Sequence, residues 1–567
     1  MDLPVQMPDV YHLTPPERPS VPELLNPHTG PGVPQVDEPD TDASTVAVLD
    51  TGIAERHPLL ATTMLAAGSS SIPGEESAAD QHGHGTRMAG VVAYGDLAVP
   101  LAGGGAPVSR CRLQNHRILY GGEPQPTHPE FMLDRTRDAM LEAETVDAAR
   151  RLFNLSVGAP TTQPGERTAW GGAVDQLAYH EGRGRLISVA AGNEPLHGKS
   201  RPGDYPARNL AVGLCSPGEA VNAITVGAVT DFDAVEGGDP ARKPVAAKGQ
   251  LSPASRCDAG GTRPIKPEIV AEGGNLSTNG NDARSDVGMQ VLTTSHEHAV
   301  GPWLGLTCAT SAATAEVSGI LAEIWNANPT RWPQTIRGLL IHSARWTTAM
   351  HAQFSARRDR LRAFGYGRPD AVAASRSILE RPTLILEQRL YPERRVGNGR
   401  EMHFVKLPMP EDELAALADS PVEISVTLSY FVEPNENRFR RYQSAGLRWG
   451  LQRPLESEDE FRKRINRLER DQAQEYENTS EDLPWEIGPQ ARSRGTVQSD
   501  RARITAAELT GGRAIAVWPM AGWWRDRGLR EDAPIAYSLI VTIDAGDAEV
   551  DLYTPILNEI SIQTEVR

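Results

Sequence analysis

Hydrophobic positions between residues 45 and 345 fall into two alternating patterns. Short, nearly continuous apolar runs, as over residues 45–49, are typical of strands buried on both faces of a sheet. Longer segments with apolar residues three or four positions apart, as over 317–325, are typical of helices. The predicted strands are 45–50, 151–157, 186–191 and 223–229, and the predicted helices are 84–94, 134–150, 169–182, 311–326 and 333–345. This alternation predicts an α/β fold with a doubly wound parallel sheet and helices on both faces.

The pattern changes after about residue 380. Segments such as 422–430 and 535–543 alternate or run apolar over the length of a strand, and turn residues separate them. Many short strands of this kind predict a β-rich, sandwich-like C-terminal domain over 381–567.

One helix is predicted inside this β-rich domain, over residues 459–476. Phe461, Ile465 and Leu468 lie on one face of that helix, and charged residues surround the rest. The apolar face either packs on the strands or docks a partner protein.

The first forty residues are proline-rich and polar, with Pro-Pro-Glu-Arg-Pro at 15–19 and Pro-Gly-Val-Pro at 31–34. This composition predicts an extended arm rather than an independently folded domain. The chain of 567 residues is therefore predicted to contain an arm (1–40), an α/β domain (41–380) and the β-rich domain (381–567).

Composition excludes several classes of protein. A formal net charge of −17 disfavours nonspecific nucleic-acid binding, and the absence of a long apolar run argues against a membrane span. The start of the chain lacks the basic and apolar regions of a secretory signal. The four cysteines are widely spaced, which fits a reducing cytoplasm better than a disulfide framework or a zinc site. No cofactor is predicted.

Three residues stand in patterns that suit acid–base and nucleophilic chemistry. Asp50 ends a predicted buried strand, where ligand and catalytic groups gather in α/β sheets. His84 lies in a glycine-rich loop, with His82 as a competitor, and Ser311 opens a predicted helix among small residues. Taken singly, an aspartate cap, a surface histidine and a serine in an ordinary buried helix would explain them. The pair of histidines at 82 and 84 also suits a metal, but no third ligand with fitting spacing follows.

These motifs together resemble one family. Asp50 in Val-Leu-Asp-Thr-Gly-Ile, His84 in His-Gly-Thr-x-x-Ala-Gly and Ser311 in Thr-Ser-x-Ala occur in the order Asp, His, Ser, and the segment 187–193 resembles the family strand that carries an oxyanion asparagine. The chain resembles the subtilases, the subtilisin-like serine peptidases, over roughly residues 41–380. An esterase of the Gly-x-Ser-x-Gly type is disfavoured because Ser311 lacks that elbow.

The resemblance implies a role for each residue. Asp50, His84 and Ser311 would form the catalytic triad, and Asn193 would donate a hydrogen bond to the oxyanion. An exposed edge at Ser156, Val157 and Gly158 would pair with an extended polypeptide substrate. The small residues Ala190, Ala191 and Gly192 would leave a roomy, apolar primary pocket. Aspartates in the predicted loops 231–265 and 272–303 could bind calcium, as in some subtilases, but they lack EF-hand spacing, and no metal is predicted.

Three positions depart from the family pattern. Ala309 stands where the family usually has glycine, Ala315 where it usually has proline, and Arg87 where a second histidine often follows the catalytic one. These changes concern loop geometry and specificity rather than the acid–base chemistry.

The β-rich tail adds a second resemblance, to bacterial subtilases encoded beside an ATPase of the AAA type. Residues 430–435 and the Trp523-Trp524 pair carry it. It implies an intracellular peptidase whose activity a partner regulates. The alternative is a catalytically silent subtilase-fold module that serves as an interaction surface, against which the intact set of Asp50, His84, Asn193 and Ser311 argues.

Overall fold

The computed structural model describes most of the chain. The described residues are 20–25, 32–65, 67–119, 129–146, 148, 150–161, 163, 165, 167–194, 202–236, 239–260, 264–380, 383–396, 399–409, 411–435, 441–471, 483–510, 513–527, 530–545 and 564–566. Most of the predicted N-terminal arm therefore lies outside the described residues. In its described part, a short helix packs Val21 into the hydrophobic core, where this side chain is fully buried.

A seven-stranded sheet forms the centre of the first 380 residues. The strands of this region are Thr45–Asp50 (β1), Arg112–Arg117 (β2), Arg151–Leu155 (β3), Leu186–Ala190 (β4), Ile224–Thr230 (β5), Lys243–Pro244 (β6), Gln250–Leu251 (β7), Ile269–Glu272 (β8), Ser277–Thr278 (β9), Ala283–Arg284 (β10), Val291–Thr294 (β11) and Leu304–Thr307 (β12). The order across the sheet is β2-β1-β3-β4-β5-β7, and β8 also pairs with β5. All these pairings are parallel except that of β5 with β7. The predicted parallel sheet is thus mixed, with one short antiparallel strand.

Helices cover this sheet. They are Val21–Leu24 (α1), His84–Tyr94 (α2), Ala98–Ala102 (α3), Pro129–Ala143 (α4), Ala169–Tyr179 (α5), Ala207–Ala211 (α6), Ala309–Ala327 (α7), Pro333–Ser343 (α8), Thr348–Gln353 (α9), Arg357–Phe364 (α10) and Ala371–Glu380 (α11). Helix α7 is almost entirely buried and packs against β1, β3, β4, β5 and β8. Its N-terminus therefore meets the edge at which the parallel strands end.

The second half of the chain contains two four-stranded antiparallel sheets, ordered β13-β21-β17-β19 and β18-β20-β16-β22. Its strands are Thr383–Leu390 (β13), Arg395–Val396 (β14), Gly399–Arg400 (β15), His403–Lys406 (β16), Pro421–Tyr430 (β17), Ala445–Leu451 (β18), Val497–Thr505 (β19), Ala514–Ala521 (β20), Ile535–Asp544 (β21) and Thr564–Val566 (β22). Its helices are Glu411–Leu417 (α12), Glu458–Asp471 (α13), Pro489–Arg492 (α14), Ala506–Leu509 (α15) and Trp523–Arg527 (α16). The two sheets contribute side chains to one hydrophobic cluster. The β-rich character is as predicted, and the sandwich arrangement and the domain boundaries stay predictions.

Helix α13 is the predicted inserted helix, and its apolar face is occupied. Phe461, Ile465 and Leu468 are buried in a cluster with Phe404 of β16 and Trp518 of β20. The apolar face of α13 therefore packs on the sheet, and these side chains are not accessible to a partner protein. The part of the prediction beyond residue 471 lies outside the described residues.

Helix α8 connects the two halves. It packs against β17 and β21, and Ile540 of β21 belongs to the hydrophobic core of the first half. The β-rich half is therefore built onto the α/β half rather than tethered to it by a linker.

Candidate active site

Asp50 and His84 form the centre of the candidate site. Asp50 is the last residue of β1 and is fully buried, and His84 is the first residue of α2. The Nδ1 atom of His84 lies 2.7 Å from Oδ1 of Asp50, which also accepts a hydrogen bond of 2.7 Å from the N–H of Thr51. This contact fixes the tautomer of His84 with its proton on Nδ1, because the carboxylate can only accept.

The electrostatics of His84 favour its protonated form. Burial alone would lower the pKa of this imidazole, and the charge and hydrogen bond of Asp50 oppose that effect strongly enough that the pKa lies above its ordinary value. The positive charge of Arg87, the residue that replaces the family histidine, acts in the opposite direction. His84 is thus suited to accept a proton and to hold it next to Asp50.

His82 is placed differently from His84. Its Nδ1 atom is buried and has no hydrogen-bond partner among the described residues. Burial, followed by the nearby His84, lowers the pKa of His82. Of the two histidines, it is His84 and not His82 that is hydrogen bonded to Asp50.

Asp80 organises the loop between β1 and α2, and the sequence did not single it out. One carboxylate oxygen accepts hydrogen bonds from the Thr51 hydroxyl and from the N–H groups of His82 and Gly83, and the other accepts from the N–H and hydroxyl of Thr86. Burial would raise the pKa of Asp80, but these hydrogen bonds hold it below its ordinary value. An aspartate four residues before the histidine, in a glycine-containing loop, was the available signal.

Replacement of Asp80 by asparagine is expected to lower the free energy of unfolding by about 2–4 kcal/mol. The reason is that an oxygen that accepts hydrogen bonds from the N–H and hydroxyl of Thr86 would be replaced by an NH₂ group, which can only donate. Urea unfolding measures this loss. Asp138→Asn is the matched control, since Asp138 is exposed and only pairs with Arg137, and it should change stability by less than about 0.5 kcal/mol. Equal stability of the two variants would contradict the organising role of Asp80.

Ser311 lies in the first turn of α7 and is buried. Two residues earlier, Ala309 has φ of 69°, in the left-handed region that favours glycine and costs other residues about 1–2 kcal/mol. The chain therefore keeps the backbone conformation that suits the family's glycine, although it carries alanine there. At Ala315, where the family usually has proline, α7 runs without interruption, and this alanine is buried.

The Ser311 hydroxyl is hydrogen bonded to the end of β3. Its Oγ atom donates to the carbonyl oxygen of Ser156 at 2.8 Å, and the Ser156 hydroxyl in turn lies 3.1 Å from the carbonyl oxygen of Ser311. A hydroxyl has one proton to donate, so the Ser311 hydroxyl cannot donate to His84 while it donates to Ser156.

Asn193 is exposed and stands beside the start of α7. Its Oδ1 atom accepts from the N–H of Thr310 at 3.0 Å and from the Thr310 hydroxyl at 2.6 Å. A backbone N–H can only donate, so the amide oxygen must be the atom that faces Thr310. The amide NH₂ is thereby turned away from Thr310. Thr310 is a second residue that the sequence did not single out.

The segments assigned to substrate binding are less exposed than expected. Residues 156–158 follow β3 outside the strand, and Ser156 and Val157 are buried while Gly158 is half-buried. Ala190, Ala191 and Gly192 are buried at the end of β4. The side chains of Ser156 and Val157 are thus enclosed at the carboxyl end of the sheet, and pairing of this segment's backbone with an extended substrate stays a prediction.

Two features of the described residues bear on other classes of protein. No three His, Cys, Asp or Glu side chains within them come together as a metal site would require. Within the same ranges, none of the helices combines the length and apolar character needed to cross a bilayer.

Comparison with known families identifies the class of this protein. Residues 41–367, more than half of the chain, match the subtilase family of peptidases, and the chain belongs to that family. The match includes Asp50, His84, Asn193 and Ser311.

Individual relatives are distant. The uncharacterized protein y4bN of Sinorhizobium fredii is 28% identical over 377 residues, which cover 63% of this chain and 83% of that protein. The structure of a cold adapted subtilisin-like serine proteinase is 19% identical, with a TM-score of 0.36, and covers 54% of this chain and 84% of that one. The prenylagaramide maturation protease PagA is 20% identical, with a TM-score of 0.39 and coverages of 59% and 93%.

Proposed function

We propose that the chain is a serine endopeptidase that hydrolyses polypeptides through Asp50, His84 and Ser311. The observation that carries the proposal is the 2.7 Å contact between His84 Nδ1 and Asp50 Oδ1, at the sheet edge where α7 presents Ser311. In this mechanism Ser311 rotates from Ser156 to His84, and His84 takes its proton as Oγ attacks the peptide carbonyl. His84 then gives the proton to the leaving amine, and water completes the hydrolysis of the acyl-enzyme.

The oxyanion of the tetrahedral intermediate would be bound by two donors. One is the Asn193 side-chain amide, which Thr310 orients, and the other is the backbone N–H of Ser311 in the first turn of α7. Both donors are positioned before substrate arrives, so they need no reorganisation as charge develops.

Labelling with a fluorophosphonate, read by intact mass, tests the proposal. One adduct is expected on the purified chain and none on Ser311→Ala, while Ser355→Ala, a change at an exposed serine, should label as the original does. Labelling together with cleavage of casein supports the peptidase. A folded chain that takes no label and cleaves no protein would instead support the alternative, a catalytically silent interaction module.

Replacement of Asn193 by alanine is expected to lower kcat by about 10²–10³-fold with little change in KM, the magnitude known for the loss of this donor in a subtilisin. The reason is that the amide contacts the oxyanion, which exists only after attack. Steady-state hydrolysis of a peptide anilide measures the effect. Asn281→Ala, at an exposed loop residue, is the control. A rise in KM with kcat unchanged in Asn193→Ala would contradict the oxyanion role.

Regulation by an AAA-type ATPase in the cytoplasm is a further part of the proposal. The tryptophans that prompted it are buried, with Trp523 at 7% exposure and Trp524 at 1%, as are Tyr430 and Phe431. These side chains are core residues, so a partner would have to bind elsewhere. Stimulation of casein cleavage by a co-expressed ATPase encoded beside this chain would test it.

A further inference from the structure

The segment Leu214–Ser216 lies between the two segments assigned to substrate binding, residues 156–158 after β3 and residues 190–192 at the end of β4, which are called here the walls of the primary pocket. The N–H of Cys215 donates to the carbonyl oxygen of Ala191 at 2.9 Å, on the wall that follows β4. Ser216 and Ala159 exchange two backbone hydrogen bonds of 2.8 Å, on the wall that follows β3. One backbone segment therefore holds both walls at a fixed separation and forms a floor between them.

The side chain of Cys215 fills the space between the glycines of these walls. A Cβ atom built on Gly192 would lie 2.4 Å from Cys215 Sγ and 2.5 Å from its Cβ, and one built on Gly158 would lie 3.3 Å from that same Cβ. The Cys215 side chain thus occupies the open side of Gly192, and Gly158 is closely approached by the Cys215 Cβ and by the carbonyl oxygen of Ser216, which would lie 3.1 Å from an added Cβ. Cys215 itself is buried, with 5% of its surface exposed.

We propose that Cys215 is the specificity-determining floor of the primary pocket and that the pocket therefore accepts only a small residue, alanine or serine, before the scissile bond. This inference rests on the proposed peptidase function. It replaces the roomy pocket that Ala190, Ala191 and Gly192 suggested, because the room that those residues leave is taken by the cysteine. A cavity of about 540 Å³ lies elsewhere, along the face of α7 that carries Ala312, Glu316 and Ile320.

The chemistry of the floor fits an uncharged side chain. Burial raises the pKa of the Cys215 thiol, although the charge of Arg256 and then the N–H of Asn193 partly oppose this, so the sulfur is neutral at physiological pH. A neutral thiol offers no charge to pair with a charged substrate side chain, which agrees with the small uncharged residues proposed.

Cys215→Gly is the decisive variant, and Cys215→Ser is its control of matched size. Tetrapeptide anilides that differ only in alanine or phenylalanine before the anilide report kcat/KM. The original chain should favour alanine, Cys215→Ser should keep that preference, and Cys215→Gly should shift the ratio toward phenylalanine by about 10–200-fold. A phenylalanine preference in the original chain, or an unchanged ratio in Cys215→Gly, would overturn the proposal.

A second measurement separates this inference from the peptidase proposal. Fluorescent peptides that end in alanine or phenylalanine, the products of such cleavages, are titrated against Ser311→Ala with and without Cys215→Gly, and anisotropy reports binding without catalysis. A gain in binding of the phenylalanine peptide on Cys215→Gly supports the floor even if no variant takes fluorophosphonate. Equal binding of both peptides to both proteins, or binding of neither peptide, overturns it. Circular dichroism shows that each variant is folded.

Discussion

Replacement of Asp50 by alanine is expected to lower kcat by about 10⁴-fold. Oδ1 of Asp50 is the atom that holds the Nδ1 proton of His84, and the carboxylate charge raises the pKa of the imidazole. Without it, His84 loses both its fixed tautomer and the stabilisation of its protonated form in the transition state. Single-turnover acylation by a p-nitrophenyl ester, followed by the absorbance of the released p-nitrophenolate, separates the acylation step from product release.

The geometry around Asp50 predicts a smaller loss for Asp50→Asn. Oδ1 accepts from both Thr51 and His84, whereas Oδ2 is buried without a hydrogen-bond partner among the described residues. The amide oxygen should therefore take the Oδ1 position, since the NH₂ group there would face the Thr51 N–H. Asparagine then keeps the tautomer and loses only the charge. A loss equal to that of Asp50→Ala would contradict this orientation.

The pH profile gives an independent signature of the same pair. In the proposed mechanism neutral His84 is the base, so activity should fall as the pH decreases through the pKa of His84. Asp50 raises that pKa, and Asp50→Asn should lower it. The acid limb of kcat/KM should accordingly move to lower pH in Asp50→Asn, and a limb that stays in place would mean that another group titrates.

The strands that carry the site were predictable because they are buried and apolar. The predicted strand 45–50 coincides with β1, and β3, β4 and β5 agree with their predictions within two residues at each end. In these strands the apolar run ends where the chain leaves the sheet, so the sequence also indicated which residues lie at the carboxyl edge. Asp50 was found by that reasoning, whereas Asn193 was assigned from the family resemblance of the segment 187–193.

Strand β2 was missed because its sequence, Arg-Leu-Gln-Asn-His-Arg, is polar although it pairs with β1 along its whole length. Several of its buried polar groups have specific partners distant in sequence: Gln114 donates to Ala143 O at 3.2 Å, and His116 lies 2.7 Å from the Ser70 hydroxyl. Periodicity measures hydrophobicity, and partners distant in sequence are invisible to it. The same limit explains why Asp80, Thr310 and Cys215 were not singled out.

The largest effect on stability is expected at Arg337, which joins the two halves of the chain. This residue of α8 is 1% exposed, and its guanidinium donates to the carbonyl oxygens of Asn222, Tyr430 and Thr496 and to the hydroxyls of Ser429 and Thr496. These five hydrogen bonds match the five N–H groups of the side chain. Burial lowers the pKa of Arg337 to about 10, so it stays charged at neutral pH.

Arg337→Met keeps much of the side-chain volume but removes every donor, and it is expected to lower the free energy of unfolding by about 3–5 kcal/mol, since several buried acceptors lose their partner together. Urea unfolding, followed by far-ultraviolet circular dichroism, measures the shift. Arg183→Met is the control: Arg183 has 68% of its side chain exposed and pairs with exposed Glu181, so its loss should cost less than about 0.5 kcal/mol. The acceptors of Arg337 come from the loop at Asn222 in the first half and from β17 in the second, so Arg337→Met should also let the two halves unfold separately. A single transition at the original midpoint would instead show that α8 and the sheets hold the halves together without this side chain.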